Sequence, residues 1–182
     1  MFRHAAFLRG MNLGGRRLTN EELRGHIAAL GFEDAEVFLA SGNVALAGGA
    51  SRSPQRIEEI LERGLASALG YDVPTFVRSR AQLLEIAAAA PLAREGWGKL
   101  QVALLREQPS AAARSETLAH AGPQDLLAFG ERELYWLPAG PMSNSELDLR
   151  AIDGLLGAIT IRTKNTIERM AARYFAPDQR RR

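Results

Sequence analysis

A chain of 182 residues with a formal net charge of +2, 46% hydrophobic and 24% charged residues and no cysteine has the composition of a globular protein, not of a disordered one. The missing cysteine excludes disulfides, thiolate metal sites and thiol nucleophiles. No apolar run approaches the ~20 residues of a membrane span, and the N-terminus lacks the apolar core of a signal peptide, so a cytoplasmic protein is expected. Arg180, Arg181 and Arg182 supply three positive charges; without them +2 becomes about −1, so the basic character belongs to a tail over 177–182 and not to a nucleic-acid footprint. Lys99 and Lys164 are the only lysines, and together with the abundant alanine this preference for arginine reads as a coding bias.

The segment 3–10, RHAAFLRG, alternates into an apolar run and predicts a strand. Leu18-Thr19-Asn20-Glu21-Glu22-Leu23 then opens a helix: Thr19 at the N-cap and Glu22 at N3 form a capping box, and Leu18 and Leu23 a hydrophobic staple. Gly31 ends it. Two short strands, 35–40 and 43–48, follow around the turn at Ser41-Gly42. A second helix begins at Ser53 with Pro54 in its first turn and ends at Gly70; on it Glu58, Glu59 and Glu62 predict a solvated face. A strand over 73–78 and a short helix over 79–90 complete the first half.

After Pro91 and the looser stretch LAREGWG, the same order returns. KLQVALLRE (99–107) predicts a strand, Ser110 caps a helix, and DLLAFG and ELYWLPAG predict paired strands about a turn at Gly130-Glu131-Arg132. NSELDLRAIDGLLG predicts a helix, AITIR a strand and TKNTIERMAARYF a last helix. The residues agree as well as the order, since VRSRAQLLEIAA (77–88) matches IRTKNTIERMAA (161–172): an arginine ends each strand (Arg78, Arg162) and a hydroxyl residue caps each helix (Ser79, Thr163). The expected fold is α+β, a duplication of a ferredoxin-like βαββαβ unit with an extra helix after each half. The expected domains are 1–90, carrying the glycine-rich loop and the SGN turn, and 98–176, followed by the basic tail 177–182.

The loop Gly10-Met11-Asn12-Leu13-Gly14-Gly15-Arg16-Arg17 supplies what a phosphate cradle needs: glycines for close backbone approach, convergent N–H groups, and a helix start beyond. It lacks the lysine and hydroxyl of a Walker A loop and the spacing of G-x-G-x-x-G, and Glu22 would repel an anion seated on the helix end. A loop that only needs positive φ is the competing reading. Ser41-Gly42-Asn43 has turn composition, yet could present a hydroxyl and an amide at a sheet edge. Arg162-Thr163-Lys164-Asn165-Thr166 sets two bases and three polar groups at a strand-to-helix junction, where capping by Thr163 is the plainer role. The histidines at 4, 26 and 120 lack metal-ligand spacing, and no nucleophile, general base or cofactor is identified.

With FLRGMNLGG, LASGNVAL and TIRTKNTI in sequence order, the chain resembles the bacterial family known as domain of unknown function 1697. That family opens with an LLRGINVGG-like segment, has an SGNV turn about thirty residues on, and carries a TTRNWNTV-like segment near its C-terminus. The matching residues are Leu8, Arg9, Gly10, Asn12, Gly14 and Gly15; Ser41, Gly42, Asn43 and Val44; and Thr160, Arg162, Asn165 and Thr166, while PMSNSEL (141–147) resembles a further segment. Thr163-Lys164 replaces the family's usual Asn-Trp and removes an aromatic ring there. The resemblance implies ferredoxin-like halves and names no activity. It favours a ligand site over a mere turn, because its polar residues sit at strand ends.

The leading expectation is a small anionic ligand, a nucleotide or phosphorylated metabolite, bound in a cleft between the halves. Arg9, Asn12, Gly14, Gly15, Arg16, Ser41, Asn43, Arg162, Asn165 and Thr166 are its candidate residues, with Arg9 and Arg162 sharing one anion. The alternatives are a nucleic-acid-binding module using a ferredoxin-like sheet, and a structural or interaction protein without a ligand. Against the module, Tyr135 and Trp136 are adjacent on one strand and so point to opposite faces.

Overall fold

The computed structural model describes residues 1–11, 18–39, 42–47 and 52–176. The first repeat contains β1 (His4–Leu8), α1 (Asn20–Ala29), β2 (Glu36–Phe38), β3 (Asn43–Leu46), α2 (Pro54–Leu69), β4 (Thr75–Ser79) and α3 (Arg80–Ala88). The second contains β5 (Gln101–Leu105), α4 (Ala111–Ala119), β6 (Asp125–Phe129), β7 (Glu133–Pro138), α5 (Leu149–Leu156), β8 (Ile159–Thr163) and α6 (Lys164–Met170), which runs on into a π-type turn over Ala171–Phe175. Each repeat forms a four-stranded antiparallel sheet, in the orders β2-β3-β1-β4 and β6-β7-β5-β8. This is the expected α+β duplication of a split βαβ unit.

The duplication extends to single hydrogen bonds. Leu8 N donates to the Gly42 carbonyl at 2.8 Å, as Leu105 N does to the Arg132 carbonyl at 2.9 Å. Arg80 N reaches the Arg3 carbonyl at 2.7 Å, and Lys164 N the Leu100 carbonyl at 2.8 Å. Arg78 and Arg162 pair with equivalent residues of the central strands, Ala5 and Val102, and each guanidinium donates to the carbonyl of the residue before it, Val77 at 3.1 Å and Ile161 at 2.8 Å.

Local signals set the helix ends. Thr19 Oγ1 accepts from Glu22 N at 3.2 Å, and the Glu22 carboxylate accepts from Thr19 N at 2.8 Å, completing the capping box. Ser53 caps α2, Pro54 starts it, and Gly70 closes it in the left-handed region. The helix expected over 144–157 begins later. Met142–Asn144 forms a 3-10 turn, and Asp148 caps α5 by accepting from Arg150 N and Ala151 N.

Contacts divide the chain into two compact units, Met1–Ala87 with the segment from Arg169, and Ala88–Glu168. The first unit therefore includes the end of the span 98–176. Arg169 lies 5.6 Å above the Phe38 ring, and Tyr174 meets Phe38 and Phe2 edge-on at 5.9 and 5.2 Å. Aromatic burial holds this segment to the first unit. In that unit Leu23 and Ile27 of α1 and Ile57, Leu61 and Leu65 of α2 pack on Ala6, Leu8, Val44, Leu46 and Val77, one face of the sheet. In the second, Leu147 and Ile152 pack on Ala103, Leu105, Leu134, Trp136 and Ile159.

The acidic face of α2 corrects one expectation. Glu59 is exposed and pairs with Arg56 at 2.6 Å, but Glu58 is 1% exposed and Glu62 is half-buried. The reason lies in β4, an edge strand whose outward N–H groups need acceptors. Glu58 Oε1 accepts from Val77 N at 2.7 Å, and Glu62 Oε1 from Thr75 N at 2.8 Å. Glu58→Ala should lower unfolding free energy by about 1–3 kcal/mol, because it leaves a buried donor without this acceptor. In parallel urea titrations Glu59→Ala should change it by less than about 0.5 kcal/mol; equal losses would count against the edge-strand role.

His4 lies on the helix-covered face of β1, buried, with Nδ1 lacking a partner. Burial, helped by Arg3, holds its pKa below the ordinary 6.5. The unfolded chain thus takes up a proton that the folded chain refuses. Stability from this source is complete above 6.5 and is lost as pH falls from there toward the lower folded value. Thermal melts from pH 7.5 to 5 should show a smaller acid loss for His4→Phe than for the parent chain, and parallel curves would refute the assignment.

Candidate functional site

At one end of the first sheet three connections meet. Leu8 N bonds to the Gly42 carbonyl, tying the loop after β1 to the β2–β3 turn, and Arg9 N donates to the Pro74 carbonyl at 2.9 Å. Tyr71 OH donates to the Met11 carbonyl at 3.3 Å, which adds the α2–β4 connection. Gly10 and Gly42 have φ of 75° and 69°, the left-handed region that a Cβ disfavours. A Cβ at Gly42 would also stand 3.1 Å from the Leu8 carbonyl oxygen. The turn therefore requires glycine on steric grounds alone.

Arg9 is half-buried beside this turn. Asn43 is fully buried, and its Nδ2 donates to the Phe38 carbonyl at 3.0 Å, so its amide closes the β2–β3 connection. Leu39, in that connection, has φ of 60° and is 40% exposed. Asn12, Gly14, Gly15, Arg16 and Ser41 lie outside the described residues, as does the tail 177–182.

In the second unit, strand alternation separates neighbours at the end of β8. Arg162 shares a face with Val102, its partner on β5, while Thr163 shares the opposite one with Gln101 and Trp136. Arg162 donates to Thr160 Oγ1 at 2.9 Å, and burial lowers its pKa to about 10. It remains protonated at neutral pH. Thr163 caps α6, accepting from Thr166 N at 3.2 Å and sharing a 2.8 Å hydrogen bond with Thr166 Oγ1. Asn165 is exposed, and Lys164 is buried with Nζ donating to Glu168 at 2.8 Å. Within the segment 162–166, Thr163 lines an open space.

That space is a cavity of about 700 Å³, whose walls include Trp97, Lys99, Gln101, Met142 and Thr163. Its rim is made by close approach of two loops. Gly98 N donates to the Pro138 carbonyl at 2.9 Å, and a Cβ at residue 98 would collide with the Gly140 carbonyl. The Arg94 guanidinium sits 4.5 Å from the Trp97 ring centroid, in cation–π range. A second cavity of about 320 Å³ shares Trp97 and 139–141 with the first and extends over Pro123, Gln124, Asn144 and Ser145. Ser145 Oγ donates to Asp125 Oδ1 at 2.8 Å, and the same oxygen accepts from Trp136 Nε1 at 2.6 Å.

Apart from Thr163 and the PMSNSEL segment, these residues were not singled out by motif, and the cavity exists because 96–101, 139–142 and Thr163 come together. Arg9 and Arg162 belong to different units. Among the described residues no three His, Asp or Glu side chains gather as a metal site, and no helix is long and apolar enough to cross a membrane. Tyr135 and Trp136 are 4% and 2% exposed, so neither ring presents a face on which a base could stack.

Comparison with curated proteins gives no match. Among solved structures, the conserved bacterial protein SP0830 from Streptococcus pneumoniae is similar, with a TM-score of 0.72 and 21% identity over 94% of this chain and 97% of that one. At that identity the likeness concerns the fold. The family model described as Protein of unknown function (DUF1697) matches residues 1–135, about three-quarters of the sequence, and the chain belongs to that family.

Proposed function

We propose that this protein binds a small anionic ligand, a nucleotide or phosphorylated metabolite, and that the larger cavity of the second unit is where it does so. The observation that carries this reading is the wall composition. An aromatic plane (Trp97), a flexible cation (Lys99), a side-chain amide (Gln101), a hydroxyl (Thr163) and a thioether (Met142) surround about 700 Å³, within the range of small-molecule sites. A ring can lie against Trp97 while a phosphate meets Lys99, whose charge is not consumed by any ion pair seen among the described residues. Asn165 and Thr166, next to Thr163, enter this reading as further polar contacts. Arg162, on the opposite face of the sheet, enters this reading through the strand end it holds, donating to Thr160 Oγ1 and the Ile161 carbonyl next to Thr163.

The first unit's loop, with Arg9, Asn12, Gly14, Gly15, Arg16 and Ser41, is a second candidate for the anion in the same reading, with the buried Asn43 holding the adjoining β2–β3 connection. It is supported by the convergence of three connections beside Arg9.

Trp97 provides a direct readout, because the other tryptophan, Trp136, is buried. Uridine and adenosine mono- and diphosphates should change the fluorescence of the protein saturably, and the parent nucleosides should do so only at much higher concentration. Lys99→Ala should weaken the nucleotides by roughly tenfold, the order of one charge-assisted hydrogen bond at a half-open site. Arg63→Ala, on the exposed side of α2, should leave them unchanged. Equal affinity for nucleoside and nucleotide, or indifference to Lys99→Ala, would defeat the proposal for this cavity. A loss on Arg9→Ala with no loss on Lys99→Ala would move it to the first unit.

A further inference from the structure

Resting on that reading, we infer that the ligand has two parts: a nucleoside diphosphate held in the larger cavity and a neutral, hydroxyl-rich group, such as a hexose, held in the smaller one. The two cavities share Trp97 and residues 139–141 in their linings, so one molecule can lie across both. Their linings differ in kind. The larger has the cation Lys99 and the thioether Met142. The smaller has no charged side chain: Pro123, Pro138 and Pro141 give rigid apolar surfaces, and Gln124 and Asn144 give neutral donors and acceptors beside Ser145.

That combination suits a sugar, whose ring carries apolar C–H surfaces and hydroxyls that both donate and accept, and it offers nothing to a second phosphate. The smaller cavity is also held in shape before any ligand arrives. Ser145 Oγ is fixed between the buried Asp125 carboxylate and Leu147 N, at 2.8 and 3.0 Å, and Ala139 N bonds to the Gln124 carbonyl at 2.8 Å. Ordered polar groups of this sort lose little entropy on binding. Lys99 lines the larger cavity and not the smaller, two residues along the chain from Trp97 of the shared wall, so it can meet a diphosphate that joins the two parts.

The experiment compares UDP with UDP-glucose, and ADP with ADP-glucose, by titration calorimetry on the full chain, its Gln124→Ala and Asn144→Ala variants, and Lys99→Ala. For at least one base, the nucleotide sugar should bind about tenfold more tightly than the diphosphate alone. Gln124→Ala and Asn144→Ala should remove most of that advantage while leaving the diphosphate within about twofold of its affinity for the parent chain. Both positions are exposed, so melting temperatures should stay at the parent value. Lys99→Ala should weaken both ligands together. Diphosphate binding with no gain from the sugar, or variants that weaken both ligands equally, would overturn the two-part ligand and leave the single-cavity reading standing. Absence of binding by any of the four compounds would overturn both.

Discussion

A single backbone hydrogen bond, made once in each repeat, governs how the C-terminal part of each repeat is built. The first residue of the helix after the last strand donates to the carbonyl just before the central strand: Arg80 N to Arg3 O, and Lys164 N to Leu100 O. It stops the β1–β4 and β5–β8 ladders at the same register and sends the chain directly into a helix. The residue at the turn then stands where it can cap the helix, and the residue before it faces the other side of the sheet. Ser79 and Thr163 serve as the caps, and Arg78 and Arg162 are the residues before them. Alternation along the strand puts cap and arginine on opposite faces.

The same alternation decides which part of the C-terminal motif can meet a solute in the larger cavity. Thr163 joins Gln101 at the cavity wall, and Arg162 goes to the opposite face, where burial lowers its pKa. The cavity itself depends on glycine at 98, whose lack of a side chain lets the chain before β5 approach the end of β7 and Gly140 within hydrogen-bonding range of Pro138. Lys99, Trp97 and residues 139–142 are brought together by that approach. Positive charge at this site thus comes from a loop lysine in a chain whose basic residues are otherwise almost all arginine.

Acidic residues on α2 show how strongly context can override a surface pattern. Glu58, Glu59 and Glu62 would form one charged helix face in solution, yet β4 is an edge strand with donors to satisfy. Two of the three carboxylates serve those donors, and the third stays with Arg56 on the surface. A covered edge resists pairing with other chains. Burying Glu58 is tolerable because a charge-assisted hydrogen bond offsets part of its desolvation.

Elements whose causes lie within a few residues were legible without coordinates: the capping box of Thr19 and Glu22, the Ser53-Pro54 start and Gly70 end of α2, and the repeat of strand-arginine-hydroxyl-helix at 78–79 and 162–163. Those signals act through local hydrogen bonds and steric limits, so they survive in any context, and their repetition was enough to establish the α+β duplication. The burial of Glu58, the enclosure of Asn43 in its turn, the packing of Tyr174 on Phe38, and the cavity beside Lys99 were decided only by tertiary structure. Each depends on segments far apart in the chain meeting at one place: α2 with β4, Phe38 with Tyr174, and 96–101 with 139–142 and Thr163. A pattern read along the chain records what each residue can do, and the partner that selects among those possibilities is set by the packed sheet.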